Sequence, residues 1–238
     1  MFITDRRLTR RVSFNLIWLL VLLAATAPAA LADELAIWNF NDSDLIVDHG
    51  SGTLVTNLNV ANILFASGTT NNARLGDAAG QALSLQGGSS TANNGRNITF
   101  NVSTLGFANI IVSFATQGTS TGFNSNQFQY SLDGVTFINF GAPYTPASAF
   151  GSVPLVFSLA GIAGLENNAN AAFRIVFNGA TSSTGTNRID NFVVEGTAQT
   201  GVPEPAGVPE PASAVLLLSG LSGLYTVRKR KRAAKTQP

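Results

Sequence analysis

Phe128-Gln-Tyr-Ser-Leu132, Asp133-Gly134, Val135-Thr-Phe-Ile-Asn-Phe140 is the stretch that decides the fold. Phe128, Tyr130 and Leu132 alternate with polar residues, and a period of two puts successive side chains on opposite faces of a strand. The partner run is rich in β-branched and aromatic residues. The Asp-Gly pair between them accepts positive φ. The segment therefore predicts a β-hairpin closed by a type I′ turn.

The same grammar extends in both directions. Ile98, Phe100 and Val102 alternate with Thr99, Asn101 and Ser103, and Ile110, Val112 and Phe114 continue the pattern beyond Gly106. Phe173, Ile175 and Phe177 alternate with Arg174, Val176 and Asn178. Leu35 to Phe40 reads as a first strand and Arg188 to Glu195 as a last one, with others at Thr53–Leu58, Ala82–Gln86 and Val153–Leu159. Gly161–Asn170 reads as one short helical turn. About ten strands joined by Gly/Asn-rich turns predict an all-β fold, two packed antiparallel sheets wound as a jelly roll, with an up-and-down barrel as the alternative.

The two ends are of another kind. Arg6, Arg7, Arg10 and Arg11 precede the apolar core Leu16-Ile-Trp-Leu-Leu-Val-Leu-Leu23, and Ala30-Leu31-Ala32 supplies small residues at Ala30 and Ala32. Residues 1–32 read as a secretory signal peptide cut before Asp33. At the other end, residues 201–211 form a linker with four prolines. Ala212–Val227 is a 16-residue apolar run, and Arg228, Lys229, Arg230, Lys231 and Arg232 follow within the tail 228–238. As a helix the run would span about 24 Å at 1.5 Å per residue, slightly short of a ~30 Å hydrocarbon core. The basic cluster would hold the tail in the cytoplasm.

Pro203-Glu204-Pro205 and Pro209-Glu210-Pro211, then an apolar run, then a basic stop, resemble the PEP-CTERM sorting signal of Gram-negative bacteria. The second copy abuts the apolar run. The resemblance covers roughly the last 30 residues. It implies an exosortase-type membrane transpeptidase as partner, transient anchoring in the inner membrane with the domain in the periplasm, and a destination at the cell surface or in the extracellular matrix of an exopolysaccharide-making cell. Tyr130-Ser-Leu-Asp-Gly134 and Ile189-Asp-Asn-Phe-Val193 are similar to segments of jelly-roll ectodomains, where they recur in carbohydrate-binding-like modules. That likeness suggests a fold and assigns no ligand.

Between the ends, residues 33–200 form the exported domain. From Asp33 to Val202 there are ten acids and four arginines, a net charge of −6, and every lysine lies in the tail. A nucleic-acid partner needs a basic face to displace counterions, so that class is excluded. The chain has no cysteine, which removes disulfides, thiolate metal sites and thiol catalysis, and leaves stability to the core.

Catalytic constellations are sparse. His49 is the single histidine, in Val47-Asp-His-Gly50. It reads as a solvated loop residue, and no G-x-S-x-G elbow accompanies it. Ten acids offer many carboxylate pairs for glycoside hydrolysis, and no pair stands out. Trp38 lies in an alternating strand and reads as core, while Tyr130 and Tyr144 could stack on a sugar ring. Gly118–Asn126 and Thr181–Asn187 are polar loops of the kind that carry ligands. The metal candidate is a nonstandard structural calcium held by Asp42, Asp44 and Asp190, which pairing of the first and last strands would bring together; the rival is solvated loop carboxylates. No other cofactor is implied.

The reading from sequence is a non-enzymatic exported surface or matrix protein, with a carbohydrate-binding module for exopolysaccharide as one alternative and a glycan hydrolase or lyase as another. If the tail alone sets location, truncation after Gly201 should release a folded domain to the periplasm or medium. Fractionation and circular dichroism of the truncated protein check this; a membrane-bound or unfolded product would refute the modular organisation.

Overall fold

A computed structural model describes residues 32–199; the signal peptide through Leu31, both Pro-Glu-Pro copies, the apolar run and the basic stop lie outside them. Within these residues the chain forms strands β1 (Ala32–Trp38), β2 (His49–Gly50), β3 (Thr53–Thr56), β4 (Ile63–Ser67), β5 (Gln81–Gln86), β6 (Arg96–Asn101), β7 (Phe107–Gly118), β8 (Gln127–Ser131), β9 (Phe137–Asn139), β10 (Leu155–Ser158), β11 (Ala172–Phe177) and β12 (Thr186–Ala198). The helical content is three short 3₁₀ turns, one of them, Ala163–Leu165, inside the stretch expected to turn helically.

All pairings are antiparallel, in two sheets. The larger runs β10-β7-β12-β1-β2, with β5 also on β12 and β4 on β5; the smaller runs β3-β6-β11-β8-β9. The neighbours are largely non-consecutive in sequence, which excludes the up-and-down barrel. β1 and β12, the first and last strands, pair from Ala32↔Thr197 to Trp38↔Phe192. Along its other edge β12 follows β7 throughout, but on this edge it changes partner, from β5 at Thr186–Ile189 to β1 beyond the bulge at Asp190/Val193. Asn191, at φ 49°, makes that kink.

The predicted alternation holds where it was strongest. Ile98 and Phe100 of β6, Phe173, Ile175 and Phe177 of β11, and Phe128 of β8 are fully buried between the sheets. From the larger sheet, Trp38, Phe114 and Phe192 meet them. Phe192 stacks on Phe100 with centroids 3.5 Å apart and planes 6° from parallel, Trp38 stands edge-on to Phe100 at 4.9 Å, and Phe128 stacks on Phe157 of β10 at 4.0 Å. With no disulfide available, this aromatic layer ties the sheets together.

Two expectations change. β8 and β9 close at Ser131↔Phe137, so the connection is five residues, 132–136, and not a two-residue turn. Gly134 takes φ +76°, but Asp133 stays at negative φ, whereas a type I′ turn needs both positive. Instead the Asp133 carboxylate accepts hydrogen bonds from the Val135 and Thr136 amides and the Ser131 hydroxyl. Those three donors stabilise its charge and hold its pKa far below the ordinary carboxylate value. The strands β2 and β4 were not foreseen: β2 has two residues, and Ile63-Leu-Phe-Ala-Ser67 is an apolar run at a half-exposed position, without alternation.

Phe173→Asp should unfold the domain. Burying an unpaired carboxylate costs several kcal/mol, against about 5–15 kcal/mol of total stability. Val55→Asp, on an exposed site of β3, should leave the thermal midpoint nearly unchanged. Melts of both variants decide it; a wild-type midpoint for Phe173→Asp would refute the register.

Candidate functional site

Inward-facing positions on the five-stranded sheet dictate what its other side presents. The ladder aligns Val55, Thr99, Arg174, Gln129 and Asn139 in one row across all five strands. The next row on the same face is Thr53, Asn101, Ala172, Ser131 and Phe137, and Asn97, Val176 and Gln127 form a third. Apart from Val55, Ala172, Val176 and Phe137, every member is an amide, a hydroxyl or a guanidinium.

These groups are held in fixed orientations. Gln129 Nε2 donates to Asn139 Oδ1 at 2.8 Å, Asn101 Nδ2 to Thr53 Oγ1 at 3.1 Å, and Gln127 Nε2 to the Phe128 carbonyl at 2.7 Å. Arg174 crosses β8 to lie over Phe137, its guanidinium carbon 3.2 Å from the ring centroid, while its Nε donates to Thr99 Oγ1 at 3.3 Å. Ala172 and Ser131, under that path, are fully buried. They are small, which leaves room for the arginine to lie flat. Burial lowers the guanidinium pKa from its ordinary value.

At one end this face runs into a pocket of about 400 Å³, lined by Ser51, Thr53, Asn101, Ser103, Asp133 and Asn170 among others. Its lining mixes hydroxyls and amides with Val102, Ala169 and Ala171, and its single carboxylate, that of Asp133, is already engaged by its own loop.

The opposite outer face is partly covered by the chain itself. The segment between β4 and β5 lies across the larger sheet: Asn72 Nδ2 donates to the Asn191 carbonyl at 2.7 Å and to Ser113 Oγ at 3.1 Å, and Asn191 Nδ2 donates to the carbonyls of Thr69 and Asn71. Arg74 fixes it further, with Nε 3.0 Å from Glu195 Oε1 and 3.3 Å from Glu34 Oε1. A cleft of about 480 Å³ beside it contains Arg74 and Glu195. Glu34 and Glu195 are the register-paired carboxylates one would test for glycoside hydrolysis. The Arg74 guanidinium occupies the space between them, where a glycosidic oxygen would have to sit.

Asp190 lies where β12 exchanges β5 for β1. It is completely buried. Its Oδ2 accepts from the Thr69 amide at 2.7 Å and its Oδ1 from the Asn191 amide at 2.9 Å. Burial without a cationic partner raises its pKa to about 7, the two amide hydrogen bonds opposing that rise. Asp42, Asp44 and Asp190 do not share a cation site. Among the described residues no three acidic, histidine or cysteine side chains converge to hold an ion. The strands pair as expected, but Asp190 turns into the segment at Thr69 while Asp44 caps the Ile46 amide in its own turn at 2.7 Å. Asp48, next to Asp42 and Asp44, has its pKa raised, chiefly by burial.

His49 sits in β2, with Nε2 4.0 Å from Asp77 Oδ2 and its side chain well exposed. Trp38 is core, as expected. Tyr130 packs edge-on against Phe140, both half-buried, and the Tyr144 hydroxyl is buried without a partner among the described residues, its pKa driven up by desolvation. The two polar loops do meet, but they spend their groups on each other: the Thr119 amide donates to the Thr186 carbonyl, the Thr186 amide to Thr119 Oγ1, and the Thr181 amide to the Thr121 carbonyl. Gly185 is needed there, because a Cβ would strike the Thr121 carbonyl.

No family model matches the chain, and no curated protein matches it in sequence. Among solved structures it is similar to a xylan-binding CBM22-1 domain from Paenibacillus barcinonensis Xyn10C, at 11% identity over 73% of this chain and 100% of that one, TM-score 0.44. It is also similar to TmCBM61 bound to β-1,4-galactotriose, at 11% identity over 66% of this chain and 92% of that one, TM-score 0.39. Domain 4 of the arabinanase AbnA from Geobacillus stearothermophilus, bound to arabinotriose, matches at 16% identity over 71% and 95%, TM-score 0.41.

Asp190 makes stability depend on pH. Its native pKa lies above the ordinary value of 3.8, so the native state binds more protons than the unfolded chain between 3.8 and about 7. Stability therefore falls as pH rises through that window, by up to about 1.4 kcal/mol for each pH step of one. Thermal melts from pH 5 to 8 should show the midpoint falling. Asp190→Asn should lower it at pH 5, since an amide cannot accept from both backbone donors, and should flatten the profile. An undiminished slope in Asp190→Asn would assign the effect elsewhere.

Proposed function

We propose that the protein is a non-catalytic polysaccharide-binding module, exported and held at the envelope through its C-terminal signal, and that its ligand lies along the outer face of the five-stranded sheet. The observation that carries this is the set of amides on that face, Asn97, Asn101, Gln127, Gln129 and Asn139, on strands whose other side is the packed core. A polyol chain needs rigid, alternating donors and acceptors over several sugar lengths. Amide side chains supply both, and each hydrogen bond adds about 0.5–1.5 kcal/mol net. The pocket at Thr53 and Asn101 gives that track an end.

The same reading includes a jelly-roll winding of the sandwich, processing of a Pro-Glu-Pro motif by an exosortase-type transpeptidase, and the cell's own exopolysaccharide as the polymer. An inert structural role would not call for an ordered polar face. A hydrolase would call for a free carboxyl pair, and the register-paired Glu34 and Glu195 are bridged by Arg74.

Affinity electrophoresis of the full-length protein in detergent against a panel of polysaccharides tests the proposal. Retardation by at least one polymer is expected, without release of reducing ends. The triple variant Asn97→Ala, Gln127→Ala, Gln129→Ala should weaken it by about tenfold or more, with the melting temperature within a few degrees of wild type. Retention unaffected by the triple variant would place the ligand elsewhere, and turnover of any polymer would favour the enzyme.

A further inference from the structure

Arg174 is the only charged side chain in the three rows of the outer face, and its charge is not answered. Arg74 contacts Glu34 and Glu195, Arg96 donates to the carbonyls of Ala92 and Asn57, and Arg188 donates to the carbonyl of Ser67. Arg174 has one hydrogen bond, from Nε to Thr99. Among the described residues no carboxylate lies within 4.0 Å of it. Among the described residues its Nη1 and Nη2 make no hydrogen bond, and neither is sealed from solvent. The guanidinium is nevertheless held rigidly, flat on Phe137 and tethered at Thr99, so its free edge is a fixed two-pronged donor.

We propose that this face takes a carboxylate-bearing polysaccharide, with the Nη1/Nη2 edge of Arg174 receiving the carboxylate of a uronic-acid residue. The inference rests on the polysaccharide-binding reading and narrows it to an acidic polymer. A planar carboxylate matches the guanidinium fork in a bidentate pair, and charge-assisted bonds of this kind are roughly twice as strong as neutral ones. The stacking on Phe137 fixes the fork before ligand arrives, so little side-chain entropy remains to be lost. The exposed amide of Asn139, in the same row and oriented by Gln129 Nε2, stands beside it for the ring hydroxyls. The rest of the exported domain is acidic, with ten acids against four arginines, so attraction for a polyanion depends on contact at this one cation and not on a long-range field.

The test uses full-length protein in detergent with polygalacturonate and with alginate, each beside its carboxyl-reduced neutral form, measured by affinity electrophoresis. Wild type should bind at least one acidic polymer about tenfold or more tightly than its reduced form. Arg174→Gln should abolish that preference, and Arg174→Lys, which keeps the charge but loses the fork, should retain only part of it. Melting curves verify the fold, and the comparison of native with reduced polymer in wild type stands even if Arg174→Gln does not fold. Equal binding of both forms, or binding of neutral polymers only, overturns the acidic ligand and leaves the polysaccharide reading in place. A preference that survives Arg174→Gln removes Arg174 as the receptor. Binding of no polysaccharide overturns both.

Discussion

The stack of Phe192 on Phe100 is the contact on which the rest depends. Phe192 belongs to β12, which touches three other strands of the larger sheet, and Phe100 to β6 of the smaller sheet; their rings lie 3.5 Å apart and nearly parallel. Because the side-chain period of a strand is two, fixing Phe100 inward fixes Thr99 and Asn101 outward, and the ladder carries that parity to Phe173 and Arg174, then to Tyr130 and Gln129. A slip of one residue would send Arg174 into the aromatic core and expose Phe173, and it is disfavoured by several kcal/mol of charge burial. The polar outer face is thus a consequence of core packing.

The two outer faces then diverge through what the connections do. The 13 residues between β4 and β5 lie across the larger sheet and are fastened by Asn72, Arg74, Asn191 and Asp190. Ile37 and Val193, which face that way, are buried as completely as the core although they lie outside the inter-sheet cluster. At one end of the smaller sheet, residues of the connections and strands build the pocket of Thr53, Asn101 and Asp133. The larger sheet's outer face is thus partly occupied by its own chain, with a cleft left beside Arg74.

Parity was the most legible property of the sequence. The alternations in β6 and β11 are local and strong, and once Phe173, Ile175 and Phe177 are placed inward, Arg174 and Val176 must face out. What could not be read is the joining of Thr99, Arg174, Gln129 and Asn139 into one row, since those residues lie on four strands and no local spacing announces their register. The Asp-Gly pair misled for a related reason: Asp133 is short enough to cap two amides and a hydroxyl, and that local gain favours a longer loop over the tight turn. The pairing of first and last strands was foreseen, but not the bulge beside Asp190, whose carboxylate accepts from the Thr69 amide.

Arg174 and Asp190 show how burial gives two ionisable groups opposite uses. Asp190 is desolvated, hydrogen-bonded only to backbone amides and closed in on all sides, so its cheapest state near neutral pH includes a proton; it serves the fold. Arg174 is desolvated less, keeps two nitrogens open and cannot give up its proton at any working pH. Its unmet charge can be answered only from outside the domain. In a domain with few charges, no lysine and an acidic balance, a lone arginine laid flat on phenylalanine in the middle of an amide face has a structural cost. Packing alone would be met as well by a leucine or methionine in that path, without the desolvation. What the arginine adds is a directed pair of donors, and an anionic sugar supplies the acceptors that the domain itself withholds.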